Sequence, residues 1–310
     1  MRFLTKWLGI VWPACLTVLL FMPAESWAWG IGVHLQTGSW ILENLHLLPP
    51  SLGALLGAFP NDYLYGCISA DITLGKKYTH YLQHCHSWRM GKKVLAAAET
   101  EAQRSCAYGY LSHLAADTIA HGYFVPYKLI LTYNTVLLKH AYWEMRFEAH
   151  VDAGIWPLAR SIGRQNFAAN DAMMRSVLSD TIFSFATNKR LFNSLLLLNR
   201  LQQYQKMLRS LSNNTRYPIT PEDQVEYLEL TTNATLSLLT DLDGSVFYSA
   251  DPTGERALSA ARMIRKNLHM LWLDGKLKER DMEAIITQMR QRLKEGICRP
   301  DDLLSLLSAA

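Results

Sequence analysis

His113, Asp117 and His121 recur at i, i+4 and i+8, and residues four apart on a helix share a face. A rise of ~1.5 Å per residue puts the two histidines about 12 Å apart. One metal cannot span that distance with bonds to imidazole nitrogen of ~2.0–2.1 Å. Two metals can, with Asp117 shared between them, so the spacing points to a cluster. His140 and Glu144 repeat the i, i+4 pairing on a following helix and offer two donors to a further metal. Asp71, expected in a loop after Ser69 and Ala70, adds a carboxylate oxygen, and residues 79–86 hold three imidazoles, His80, His84 and His86. His80 and His150 read as bystanders. Nitrogen and carboxylate donors without thiolate suit zinc at a catalytic site.

A further donor depends on processing. Residues 1–28 have the form of an export signal: Arg2 and Lys6, an apolar run from Trp7 to Met22, then Ser26-Trp27-Ala28 as a small-x-small cut site. Cutting after Ala28 makes Trp29 the first residue, with His34 five positions on. A free α-amine titrates near ~8, so near neutrality it can lose its proton and bind a metal, its own carbonyl oxygen closing the chelate. The residues before Cys15 make a poor lipoprotein signal, so the expectation is release to the periplasm or exterior without a lipid anchor.

The elements that must position these donors read as helices throughout, with no alternation bounded by hairpin turns. One amphipathic stretch is expected from Val94 to Phe124, stopped by Gly122 and Pro126, and a second from about Thr135 to Trp156. Thr220-Pro221 with Asp223 is an N-cap signature. After a break over residues 241–255, closing helices are expected at Arg256–Leu273 and Glu279–Glu295, with Gly275 and Gly296 as C-caps. The fold class is all-α: residues 29–160 form a helical core that carries every candidate ligand, and residues 161–310 form additional helices packed on it.

Composition narrows the function classes. Removing Arg2, Lys6 and Glu25 leaves 29 basic and 26 acidic residues, which is not the clustered basic face of a nucleic-acid binder. After residue 28, no stretch stays apolar for the roughly 18 residues of a membrane span. Cys67, Cys85, Cys106 and Cys298 survive the cut; two disulfides, one or none are open, and no CxxC spacing suggests a zinc knuckle.

In this order the donors resemble the zinc-dependent phospholipases C of bacteria, a fold shared with single-strand-specific nucleases of fungi and plants. Trp29-Gly30-Ile31-Gly32-Val33-His34 is similar to the nuclease form of the family's mature start. The resemblance covers about residues 29–150 and implies three zinc ions. Trp29, His34 and Asp117 would hold one, Asp71, a histidine of 84–86, His113 and Asp117 a second, and His121, His140 and Glu144 a third. Asp71 would orient or deprotonate the attacking water. His84 is favoured by segment alignment and His86 by the Asp-to-His interval, so both stay candidates. Two departures stand out: His121 follows His113 by eight residues where the family usually has ten and a Pro, and the aromatic-Asp tail after the second-zinc histidine is missing.

The implied activity is phosphodiester hydrolysis on phospholipid at a membrane surface. Single-stranded nucleic acid is the second candidate substrate, with Trp40, Tyr123, Phe124 or Trp143 as stacking residues. A non-catalytic zinc-binding helical protein is the third reading, and no protein partner is indicated. The run 125–138 reads as core rather than a lipid contact, with an apolar approach for acyl chains as its alternative role.

Overall fold

The computed structural model describes residues 29–72, 85–135, 140–178, 184–198, 217–276 and 278–308. The export signal, His80 and His84 lie outside them. Among the described residues the chain is helical without a strand. In chain order the helices are α1 (Ile31–Glu43), α2 (Pro50–Ala58), α3 (Pro60–Ser69), α4 (Trp88–Ala96), α5 (Glu101–Ile119), α6 (Val125–Leu131), α7 (His140–Glu148), α8 (Ile155–Ile162), α9 (Ala168–Val177), α10 (Phe185–Leu198), α11 (Pro221–Thr240), α12 (Glu255–Leu273), α13 (Glu279–Gly296) and α14 (Leu303–Ser308).

The central element is α5. It is buried on nearly all sides, from Ser105 through Ile119 with Tyr108 alone partly open, which is the signature of a core helix rather than a surface one. Its start is set locally. Thr100 accepts the Gln103 amide through its hydroxyl while the Gln103 side chain accepts the Thr100 amide, a reciprocal cap that satisfies two otherwise unpaired N–H groups. That cap divides the expected Val94–Phe124 helix in two, because residues 97–100 leave the helical path between α4 and α5.

The far end also differs from expectation. Gly122 and Pro126 do not stop the helix. Residues 120–124 form a π turn, and Pro126 falls in the first turn of α6, where the missing N–H of proline costs little. The expected Thr135–Trp156 helix is likewise two elements. Between α7 and α8 the Asp152 side chain accepts the Gly154 amide, and Trp156 belongs to α8. Gly296 lies inside α13, whereas Gly275 follows α12 with φ +64 as a left-handed cap. Thr220 caps α11 as expected, its hydroxyl accepting the Asp223 amide.

α3 and α5 touch backbone to backbone. A Cβ on Gly66 would fall 2.0 Å from the Cys106 carbonyl oxygen, and one on Gly109 2.0 Å from that of Tyr63. Only glycine permits that approach, and it sets the depth at which the Asp71 turn meets α5.

Two apolar clusters flank α5. One gathers Leu35, Tyr63, Leu111, Leu114, Met174 and Phe192; the other gathers Trp29, Phe124, Trp143, Phe147, Tyr227 and Leu293. The second core closes over charge: Lys128 of α6 donates to Asp223 of α11 at 2.6 Å, and Arg290 of α13 donates to Asp223 at 2.8 Å and Glu226 at 2.5 Å. Burial lowers the Lys128 ammonium and Asp223 opposes that, so Lys128, Asp223 and Arg290 together tie three helices at the cost of desolvation. Cys67, Cys85, Cys106 and Cys298 are thiols, so no disulfide forms among the described residues.

Candidate metal centre

Buried polar groups on a core helix need partners, and α5 meets that need for most of its own. Ser112 pairs with the Tyr63 hydroxyl at 2.9 Å and Thr118 donates to the Ala115 carbonyl at 2.7 Å. His113 Nδ1 lies 2.8 Å from the Cys67 carbonyl. A carbonyl only accepts, so the proton is on Nδ1 and the Nε2 lone pair points inward.

Asp117 is the exception. Its two oxygens are buried and make no hydrogen bond, yet three imidazoles converge on them. His34 Nε2, brought by α1, is 3.3 Å from Oδ1; His86 Nε2 and His113 Nε2 are 3.3 and 3.2 Å from Oδ2. His86, in the turn before α4, also faces Asp71 Oδ1 at 3.3 Å and His113 Nε2 at 3.0 Å. Asp71 sits in a 3₁₀ turn, Ala70–Ile72, rather than in the expected loop. The His34 and His113 rings stack at 3.8 Å.

A second group lies past the π turn. His140 Nε2 is 2.5 Å and His121 Nε2 3.6 Å from Glu144 Oε1, with the two rings edge to face at 5.1 Å. The expected single row is therefore broken. Spacing alone put Asp117 between His113 and His121; the structure puts it between His34 and the His86–His113 pair, and sends His121 to α7. The π turn is the cause, because its wider winding from residue 120 turns His121 out of the register of His113 and Asp117.

Electrostatics follow from this crowding. Burial pushes the Asp117 carboxyl upward, but His113 and His34 outweigh it and hold the group well below the usual carboxylate range. Burial and the neighbouring His113 lower His34, against the pull of Asp117. Burial raises Glu144 to about 8, against His121. A site that disfavours charge on His34 and packs buried carboxylate oxygens against imidazole nitrogens is built for a cation.

Ligand atoms within 4.8 Å of one another form three groups: His34, Asp71 and His113; His86, His113 and Asp117; His121, His140 and Glu144. All donors are nitrogen or oxygen, and the unbonded oxygens of Asp117 and ring nitrogens of His34 supply what a divalent metal needs, so the residues fit zinc. Of the expected donors, His86 reaches the site, while His84 lies outside the described residues. His150 belongs to none of the three groups. Trp29 is fully buried, stacked on Phe124 at 4.8 Å, with its indole N–H donating to the carbonyl of Ala116, the neighbour of Asp117.

Two features were not anticipated from sequence. Glu148 caps α1 from outside: its Oε1 accepts the Gly32 amide at 2.6 Å, where Gly30 offers no side-chain cap. Burial, opposed by the Gly32 and Val33 amides, raises this carboxyl to about 7. It continues the row 140, 144, 148, so the i+4 spacing held the signal. The Pro252 carbonyl, 2.9 Å from His121 Nδ1, left no such trace.

Residues 33–191, just over half of the chain, match the family described as zinc dependent phospholipase C. The match takes in His34 through Glu144 and stops short of Trp29 and of everything after Leu191. No curated protein and no solved structure matches the chain.

Proposed function

Because the chain belongs to the zinc-dependent phospholipase C family, we propose that it is an exported phosphodiester hydrolase that releases diacylglycerol and a phosphorylated headgroup from phospholipid. The observation that carries the reading is the Asp117 carboxylate, buried without a hydrogen bond and faced by imidazoles on both oxygens. Zinc, when bound, supplies polarisation of the phosphate oxygens and acidification of water to near neutrality.

The chain's residues divide the remaining work. His34 and Asp117 with the Trp29 amine and carbonyl would hold one zinc ion, Asp71, His86, His113 and Asp117 a second, and His121, His140 and Glu144 a third. Asp71 also orients the attacking water and takes its proton as the water oxygen bonds to phosphorus; the P–O bond to glycerol breaks and the departing oxygen gains a proton from solvent to give diacylglycerol. Export and a cut before Trp29 belong to this reading, since only the cut frees the amine.

The nucleic-acid alternative loses support. Tyr123, Phe124 and Trp143 are fully buried and offer a base no face for stacking; of the four aromatics considered, Trp40 alone is exposed. Residues 125–130 are buried as well, so this part of the apolar run packs in the core rather than facing acyl chains.

The test uses protein recovered after export. N-terminal sequencing beginning at Trp29, three zinc per chain by elemental analysis, and diacylglycerol release from phosphatidylcholine vesicles that a chelator abolishes are expected. Nucleotide release from single-stranded DNA without diacylglycerol would replace the substrate, and metal-free protein unaffected by chelator would return the chain to the non-catalytic reading.

A further inference from the structure

The third metal group borrows a part from outside the family match. His121 Nδ1 faces the Pro252 carbonyl at 2.9 Å, and a carbonyl can only accept, so the ring must donate from Nδ1, which in the neutral ring leaves the Nε2 lone pair toward Glu144. Imidazole in water favours the opposite tautomer, with the proton on Nε2, which would block the metal-facing nitrogen. Metal-binding histidines commonly have their free nitrogen fixed by such a partner.

The turn that supplies the carbonyl is firmly built. Asp251 Oδ1 accepts from the Thr253 amide at 2.9 Å and hydroxyl at 2.7 Å, and its Oδ2 accepts the Glu255 amide at 3.2 Å. Gly254 takes φ +57, ψ 22 as the residue before α12, a left-handed geometry that disfavours any side chain. It is pressed on His121 as well: a Cβ there would lie 2.4 Å from both the Cβ and the carbonyl oxygen of His121. On the other side the segment is pinned near His86, because Trp88 Nε1 donates to the Ala250 carbonyl at 2.7 Å and its ring lies 5.4 Å from Tyr248.

We infer that residues 250–254 are a positioning element of the His121–His140–Glu144 group, with the Pro252 carbonyl setting the His121 tautomer and Gly254 permitting the approach. The inference rests on reading that group as a zinc site. It also gives the region after Leu191 a direct part in the metal centre.

The test pairs three variants with two measurements, zinc content and affinity by chelator competition, and the His121 tautomer by long-range ¹H–¹⁵N NMR on metal-free protein. Wild type and Pro252→Ala, which keeps the carbonyl, should retain three zinc ions and the Nδ1–H form. Gly254→Ala, and Asp251→Ala as the variant without a steric clash, should weaken one of the three zinc ions by about 10- to 100-fold, leave the other two in place, and admit the Nε2–H form. Unchanged affinity in both variants, or an Nε2–H tautomer in wild type, overturns the inference. If wild type takes up no zinc, the metal reading of the group fails, and the tautomer alone then decides whether the turn sets His121.

Discussion

Replacing Glu148 separates two roles that one carboxylate fills. Its Oε1 accepts the Gly32 amide at 2.6 Å, serving N–H groups that the first turn of α1 leaves open. The space is made for it: a Cβ on Gly30 would fall 2.1 Å from Oε2. Burial nevertheless raises the carboxyl from 4.5 to about 7, a gap worth about 3 kcal/mol at ~1.36 kcal/mol per pH unit. The folded state holds this proton more tightly than the unfolded chain. Its contribution is therefore complete below pH 4.5 and is lost as pH rises through about 7. Glu148→Gln keeps an oxygen for Gly32 and has no proton to lose. In metal-free protein, urea unfolding followed by circular dichroism should show Gln gaining about 3 kcal/mol on wild type between pH 4.5 and 8. Glu148→Ala removes the acceptor and should trail Gln by about 1–3 kcal/mol at both ends of that range. A wild-type-to-Gln difference that does not change with pH would refute the buried carboxylate, and Ala equal to Gln would refute the cap.

Other perturbations address the metal groups and the core. Asp117→Asn should lose zinc from both sites that share the carboxylate and cut hydrolysis by more than about 100-fold, beyond the range for outer partners; elemental analysis showing three retained ions would contradict the sharing. Glu144→Gln should reduce the zinc count by one and leave the His34 and His86 sites filled, measured the same way. Saturating zinc at about 1,000 times its dissociation constant should stabilise the protein by about 4 kcal/mol over the chelated form, read as a rise in melting temperature that a zinc-independent fold would not show. Gly66→Ala should lower stability by about 1–3 kcal/mol or more through the clash with the Cys106 carbonyl, and an unchanged melting temperature would mean that α3 and α5 are not in backbone contact.

The sequence by itself determined the helical class, the donor chemistry, and the pairs His113–Asp117 and His140–Glu144. Those pairs depend on the i, i+4 geometry of a single helix, which a chain carries wherever it is packed. It also held, unread, the cap at Thr100 that splits Val94–Phe124, since Thr100 and Gln103 are three residues apart. Tertiary structure alone decided which oxygen of Asp117 meets which ring. It also turned His121 from the row of His113 to the side of His140 and brought His86 to His113, groupings that helix spacing did not give and the family resemblance alone implied, and it delivered Pro252 to His121 across 131 residues of chain. None of these has a local period to reveal it. They arise from the π turn after α5, the glycine contact between α3 and α5, and the left-handed Gly254, where packing of distant segments sets the angle at which each donor enters.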